Sequence, residues 1–320
     1  MKAAVINKLG EPPVYQDFPD PTPGKDEVLL RVTAASLKQI DKVMASGRHY
    51  AAPKELPVVS GVDGVGRDDQ GKRYYFANLP APYGAMAEKV AINPAWAFAL
   101  PDNIDDATAA ALPNPAMSSW VPLSLRAKIK AGDRVLVIGA TGAAGMLAVQ
   151  IAKHLGADAV VALGRGQEPA AHLQSIGAEQ YIDLLAGDEA VIAALQKQGP
   201  FDIVLDYLWG HPAELFFAAC TGDSFESTDV ITRYVQIGDI AGKEAKLPAE
   251  SLRSTNLEIM GSGGGGVPHA ELFKTVMETM PKLFELAASG TLTLKTETVP
   301  LSDVSTVWNA PSKTRILFAP

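Results

Sequence analysis

The sequence predicts an α/β protein: a doubly wound, parallel six-stranded sheet joined to a smaller β-rich domain. Three observations carry that expectation. A glycine-punctuated strand, turn and helix occupy residues 134–153; apolar runs alternate with helical patterns after it; and residues 1 to about 115 break into short β-rich runs between proline, glycine and acidic turns.

The stretch from Arg134 to Lys153 is the most informative. Val135-Leu-Val-Ile-Gly139 is an apolar, β-branched run of the kind buried in a parallel sheet, and glycines follow at 139, 142 and 145. Glycines let a backbone pass close to a ligand. The helix expected over Ala143–His154 places free N–H groups and a positive dipole end at the turn, which suits a pyrophosphate. By itself such a turn is equally compatible with tight helix–strand packing.

The elements that follow decide between these readings. Strands are predicted at 159–163, 181–183, 202–206, 234–238 and 257–261, with helices over 168–176, 188–198 and 212–220. Six strands in this alternation are what two mononucleotide-binding halves require.

Ahead of that sheet, Ala3–Ile6, Glu27–Val32 and Ala87–Ile92 read as strands of a largely antiparallel domain. A helix is expected over Asp105–Leu112, its acidic residues favourable at the positive end. Beyond Gly261–Pro268 a helical pattern runs over 270–289. The closing run Arg315–Ala319 is a strand expected to return to the first domain.

Composition bounds the function. The chain has 320 residues, more than one core usually organises, and 47% hydrophobic residues to bury. A net charge of −8 argues against nucleic acid and anionic membranes as partners. Neither a signal peptide nor an apolar run of about 20 residues is evident, so a cytoplasmic protein without a membrane segment is expected. Cys220 is the only cysteine, which excludes intrachain disulfides and thiolate zinc clusters, and its apolar neighbours favour packing over reactivity.

The chain as a whole resembles the zinc-independent medium-chain dehydrogenase/reductase superfamily, in its quinone oxidoreductase-like branch. The resemblance rests on residues 27–36, 57–66, 83–90, 131–145 and 233–238, taken in order and spacing. It implies a GroES-like catalytic domain over 1–118, completed by 268–320, and a Rossmann NADP-binding domain over 119–267. It further implies a cleft for the nicotinamide and a homodimer. Alcohol dehydrogenases of the superfamily place a cysteine ligand in the region of Ser36–Asp41. Here that region reads Ser-Leu-Lys-Gln-Ile-Asp, and no metal site is expected.

For the cofactor, an NAD-preferring fold would offer Asp or Glu at the end of the second strand, about 20 residues past the glycines. Residues 162–167 instead read Ala-Leu-Gly-Arg-Gly-Gln. Arg165 supplies a planar cationic fork suited to a 2′-phosphate, with Gly164 beside it, so NADPH is expected; the alternative is a solvent-facing arginine in a loop. The other candidate cofactor residues are Ser118, Gly139, Thr141, Gly142, Ala143, Ala144, Gly145, Gly238, Gly261 and Gly263.

The chemistry left to such a chain is that of the nicotinamide: hydride transfer to an electron-poor quinone or α,β-unsaturated carbonyl, needing placement and a donor for the developing oxyanion. Tyr50 and Lys38 are the candidate donors, although Tyr50 could wall a pocket and Lys38 could anchor a loop through Asp41. Ser118 and Asn114 are candidates beside the nicotinamide or, alternatively, helix caps. The competing reading of the whole is an NADPH-binding protein without turnover, with a sensing or structural role.

Overall fold

A computed structural model of the chain describes residues 1–48, 52–221 and 229–320. It divides into two compact units, Met1–Pro113 with Thr279–Pro320, and Asn114–Glu278.

The first unit holds strands β1 (Lys2–Ile6), β2 (Val14–Asp17), β3 (Val28–Ser36), β4 (Val58–Val59), β5 (Asp63–Arg67), β6 (Arg73–Ala77), β7 (Lys89–Ile92) and β8 (Ala97–Ala99). Helix α1 (Gln39–Ala45) follows β3, and α2 (Asp106–Ala111) follows β8. Asp105 caps α2 by accepting the Thr108 N–H at 2.8 Å, which is why the helix starts at this acidic pair. Strands β2, β1 and β4 form one small sheet. The connection between β5 and β6 is a tight hairpin, the Asp68 N–H donating to the Lys72 carbonyl.

The second unit opens with α3 (Pro113–Val121), where the sequence had offered no helix; Pro113 and Pro115 stand in its first turn, where an N–H is not needed. Then alternate β9 (Arg134–Ile138), α4 (Ala143–His154), β10 (Ala159–Gly164), α5 (Ala170–Ser175), β11 (Gln180–Asp183), α6 (Asp188–Gln198), β12 (Ile203–Asp206), α7 (Gly210–Ala219), β13 (Thr232–Gln236), α8 (Ala249–Ser254) and β14 (Leu257–Gly261), before the long α9 (His269–Ala288). The sheet is parallel throughout, in the order β11-β10-β9-β12-β13-β14. Strand order therefore reverses between β9 and β12, and the crevice at their carboxyl ends is where ligands of such sheets bind.

In this sheet the fifth strand is displaced from the expected 234–238. It ends at Gln236 rather than Gly238, because the N–H groups of Ile237 and Gly238 both turn to the Asp206 carbonyl, at 2.8 and 3.1 Å.

From Thr279, within α9, the chain is again part of the first unit, which it completes with β15 (Thr296–Pro300), α10 (Val304–Val307) and β16 (Arg315–Ala319). As expected, the terminal strand pairs there, antiparallel to β3 and parallel to β15. It completes the larger sheet, β15-β16-β3-β5-β6-β8, with β7 also on β3. Phe318 and Trp308 from this return join Leu30, Phe76 and Met86 in the core of the unit. Each such buried side chain contributes about 1.5–3 kcal/mol, so the tail is structural rather than ornamental. Among the described residues no helix is long and apolar enough to cross a membrane.

Candidate functional site

Strand β9 ends in a turn whose glycines have distinct causes. Gly139 has φ +93°, and a Cβ there would stand 3.0 Å from Leu208. At Gly145 a Cβ would lie 2.2 Å from the Gly139 carbonyl oxygen, so the first turn of α4 packs directly on the loop. Gly142 is different. Its φ of −81° is open to any residue, and a Cβ would meet nothing nearer than the Gly139 oxygen at 3.6 Å. Nothing within the protein requires glycine at 142.

Gly142 is also the N-cap of α4 and brings no side-chain cap; the first helical bond is Met146 N–H to the Gly142 carbonyl, at 2.8 Å. The N–H groups of Ala143, Ala144 and Gly145 thus precede the helical ladder, at its positive end. This is a cradle for an anionic group, and Gly142 is where a ligand can approach the backbone. The residues fit a dinucleotide pyrophosphate.

The floor of the turn is fixed from β12. The Tyr207 hydroxyl lies 2.8 Å from Ser119 Oγ and donates to the Ser118 carbonyl at 3.2 Å, while Ser119 Oγ reaches the Ala144 carbonyl at 3.2 Å. Burial pushes the Tyr207 pKa up, so it stays a neutral hydroxyl. Ser118 sits inside α3, its Oγ donating to the Pro115 carbonyl at 2.7 Å; neither it nor the exposed Asn114 caps a helix. Sequence reasoning missed Ser119 and Tyr207, whose partners lie about 90 residues apart or less and carry no local pattern.

At the carboxyl end of β12, Asp206 accepts the N–H groups of Leu208 at 2.8 Å and Trp209 at 3.0 Å, and the Tyr234 hydroxyl at 2.5 Å. These bonds hold Trp209 at φ 56°, ψ −160°, a backbone region costly for any residue but glycine. Gly238 lies against the same turn, where a Cβ would be 2.4 Å from the Tyr207 carbonyl oxygen. A depression of 390 Å³ opens here, lined by Trp209, Gln236, Asp239, Lys243, Ile259, Met260 and Gly261. Gly261 and Gly263 have open space where a Cβ would stand.

Beside the turn, Gly139 and Ala140 donate to the Leu163 carbonyl, at 2.8 and 3.0 Å, tying it to the end of β10. A Cβ on Gly164 would stand 2.4 Å from Thr141 Cγ2. Arg165 follows, exposed, and among the described residues its guanidinium has no carboxylate partner.

The first unit holds a buried charged cluster of its own. Lys38, only 2% exposed, pairs through Nζ with Asp63 Oδ1 and donates to the Ser36 carbonyl at 3.3 Å. The Tyr75 hydroxyl donates to Asp63 Oδ2 at 2.9 Å. Asp41 instead receives backbone donors, the N–H of Lys38 at 2.8 Å and of Val62 at 3.1 Å, and burial pushes its pKa up to about 6. The anchor of the Lys38 side chain is therefore Asp63, not Asp41. Among the described residues Ser36 Oγ and Arg315 Nε are buried without a hydrogen-bond partner, while Arg315 Nη1 donates to the Leu37 carbonyl at 2.8 Å. Tyr50 and His49 lie outside the described residues. Among the described residues no group of three or more His, Cys, Asp or Glu could hold a metal ion.

Comparison with known proteins gives a consistent picture. A family model described as zinc-binding dehydrogenase matches residues 143–282. A probable NADPH-dependent quinone reductase of Emericella nidulans is 31% identical over 354 residues, covering 96% of this chain and 96% of that protein. A chloroplastic NADPH-dependent alkenal/one oxidoreductase of Arabidopsis thaliana is 31% identical over 175 residues, covering 50% of this chain and 45% of that protein. Among solved structures, the quinone oxidoreductase of Thermus thermophilus superposes with a TM-score of 0.83 at 26% identity, each chain covered to 100%. With the parallel sheet, its glycine turn and the full-length match together, the chain belongs to the medium-chain dehydrogenase/reductase superfamily, in its quinone oxidoreductase-like branch.

Proposed function

We propose that the protein reduces a quinone or an α,β-unsaturated carbonyl with electrons from NADPH. The observation that carries this reading is Gly142: backbone conformation and packing both admit a side chain there, and a glycine N-cap keeps the free N–H groups of α4 open to the approach of a ligand. Gly139, Thr141, Ala143, Ala144 and Gly145 would hold the pyrophosphate with it. Arg165 would take the 2′-phosphate, with Gly164 leaving room, and Ser118, Gly238, Gly261 and Gly263 would flank the nicotinamide end. When bound, the reduced nicotinamide supplies a hydride.

The chain's own part is to position the acceptor and to stabilise the negative charge that develops on its oxygen. Lys38 and Tyr50 are the proposed donors. Asp63 and the Ser36 carbonyl take two N–H groups of the Lys38 ammonium; at 2% exposure it would act on an oxyanion as a fixed positive charge beneath the surface. No thiolate is available in Ser36–Asp41 to bind a metal, so charge stabilisation in this reading falls to these side chains.

The quinone reductase and alkenal/one oxidoreductase relatives support the two acceptor classes. Loss of NADPH absorbance against a benzoquinone, a naphthoquinone, an alkenal and a saturated aldehyde, with NADH in parallel, tests the reading. Turnover with quinone or alkenal, and preference for NADPH, is expected; tight NADPH binding without turnover on any acceptor would leave a sensing or structural role. A homodimer and a cytoplasmic location complete the proposal. Support for the first is the outer strand β14, with Ile259 37% exposed; for the second, a chain with one cysteine. Sizing chromatography and cell fractionation check them.

A further inference from the structure

Asp183 ends β11 directly beside Gly164, its Cα partner in β10. Its Oδ1 accepts the N–H of Gly166 at 2.7 Å and of Leu185 at 2.9 Å, and its Oδ2 accepts the Gln167 amide at 3.1 Å. Two residues earlier, the Tyr181 hydroxyl donates to the Gly166 carbonyl at 2.5 Å. Both backbone polar groups of Gly166, at φ +79°, are thus tied to β11. Arg165 stands between this anchor and Gly164, which is fixed in the sheet.

Two consequences follow for the charge at Arg165. The Asp183 carboxylate is committed to N–H donors, that of Leu185 above all, which hold its pKa below the usual carboxylate range. Both its oxygens are taken by these donors and it makes no ion pair with Arg165 among the described residues, so the planar guanidinium fork stays open to another anion. An acidic side chain at the end of β10 would also have to displace Thr141 Cγ2, which occupies the space a Cβ at 164 would need. Discrimination between a 2′-phosphate and a 2′-hydroxyl then rests on the loop.

We propose that Asp183, assisted by Tyr181, is the positioning residue for recognition of the cofactor's 2′-phosphate. It acts through the loop 164–167 and does not touch the ligand, and the inference rests on the assignment of Arg165 to that phosphate. A loop already ordered in the free protein loses less freedom when the anion binds, so the clamp appears as affinity for the phosphorylated ligand alone.

Calorimetric titration with 2′,5′-ADP and with 5′-AMP reads this without turnover. Asp183→Ala is expected to weaken 2′,5′-ADP about tenfold while 5′-AMP changes by less than about twofold. Equal weakening of both ligands, or of neither, overturns the inference, since a merely structural role does not distinguish them. Tyr181→Phe removes one hydroxyl and should move in the same direction; if Asp183→Ala fails to fold, an unchanged preference in Tyr181→Phe overturns the inference instead. Arg165→Ala tests the underlying assignment separately. Loss of preference in Arg165→Ala but not in the Asp183 and Tyr181 variants removes only the role of the clamp; retained preference in Arg165→Ala removes the assignment and the clamp with it.

Discussion

The glycine turn after β9 and the charged cluster around Lys38 solve opposite problems. In the turn, space is emptied: Gly145 lets a helix touch a loop, and Gly142 keeps room that the protein itself does not fill. In the cluster, space is filled with charge. Lys38, Asp41 and Asp63 are each 2% exposed, and every one is held by a partner. The first region is governed by sterics within a few residues, the second by desolvation and pairing between residues far apart in sequence. They should therefore fail in different ways when changed.

The largest effect is expected in the cluster. Lys38→Met leaves Asp63 as a buried carboxylate with only Tyr75 to satisfy it, which should cost about 3–5 kcal/mol in chemical denaturation. Adding Asp63→Asn should return much of that loss, because the uncompensated charge is then gone. A single variant of unchanged stability would mean that the ion pair is not the anchor of this unit.

In the turn, Gly145→Ala should cost about 3 kcal/mol, since its Cβ would stand 2.2 Å from a backbone oxygen that can retreat only by moving α4 from β9. Thermal melting checks it. Here no second substitution should rescue the loss, because the clash is with backbone rather than with a side chain.

The smallest effect is a pH dependence carried by Asp41. Its folded-state pKa of about 6 lies above the ordinary 3.8, so between these values the folded chain binds the extra proton. Its contribution to stability is present below pH about 4 and is lost as pH rises towards 6. Relative to Asp41→Asn, the wild type should lose up to about 3 kcal/mol across that window and run parallel above it. Burial is the main cause, opposed by Lys38 and reinforced by Asp63. A constant difference from pH 4 to 7 would show that Asp41 does not titrate there.

The same contrast explains what could be read from the sequence. The succession of strands along the chain, the glycine turn and the return of Arg315–Ala319 are written in local patterns: β-branched runs, fixed glycine spacing, a final apolar segment. Helix α3 was legible only as a possible cap at Asn114 or Ser118, because a segment opening on Pro113 and Pro115 shows no helical periodicity, although prolines in a first turn break nothing. The Lys38–Asp63 pair spans 25 residues and the Tyr207–Ser119 contact 88, distances at which no periodicity links the partners. Asp183 did carry a signal, an acidic residue at a strand end beside the loop in question, but its meaning depends on the β10–β11 register. Trp209 carried none, since a tryptophan in a backbone region suited to glycine is the opposite of what local propensity selects.

The central claim is that the turn after β9 is shaped for a dinucleotide, and Gly142→Ala tests it most directly. The account predicts a melting curve within about 0.5 kcal/mol of the wild type, because the backbone and the space both accept alanine. It also predicts NADPH binding weakened at least about tenfold, because the added methyl stands where the pyrophosphate must approach. Unchanged NADPH affinity in a variant of unchanged stability would contradict the account.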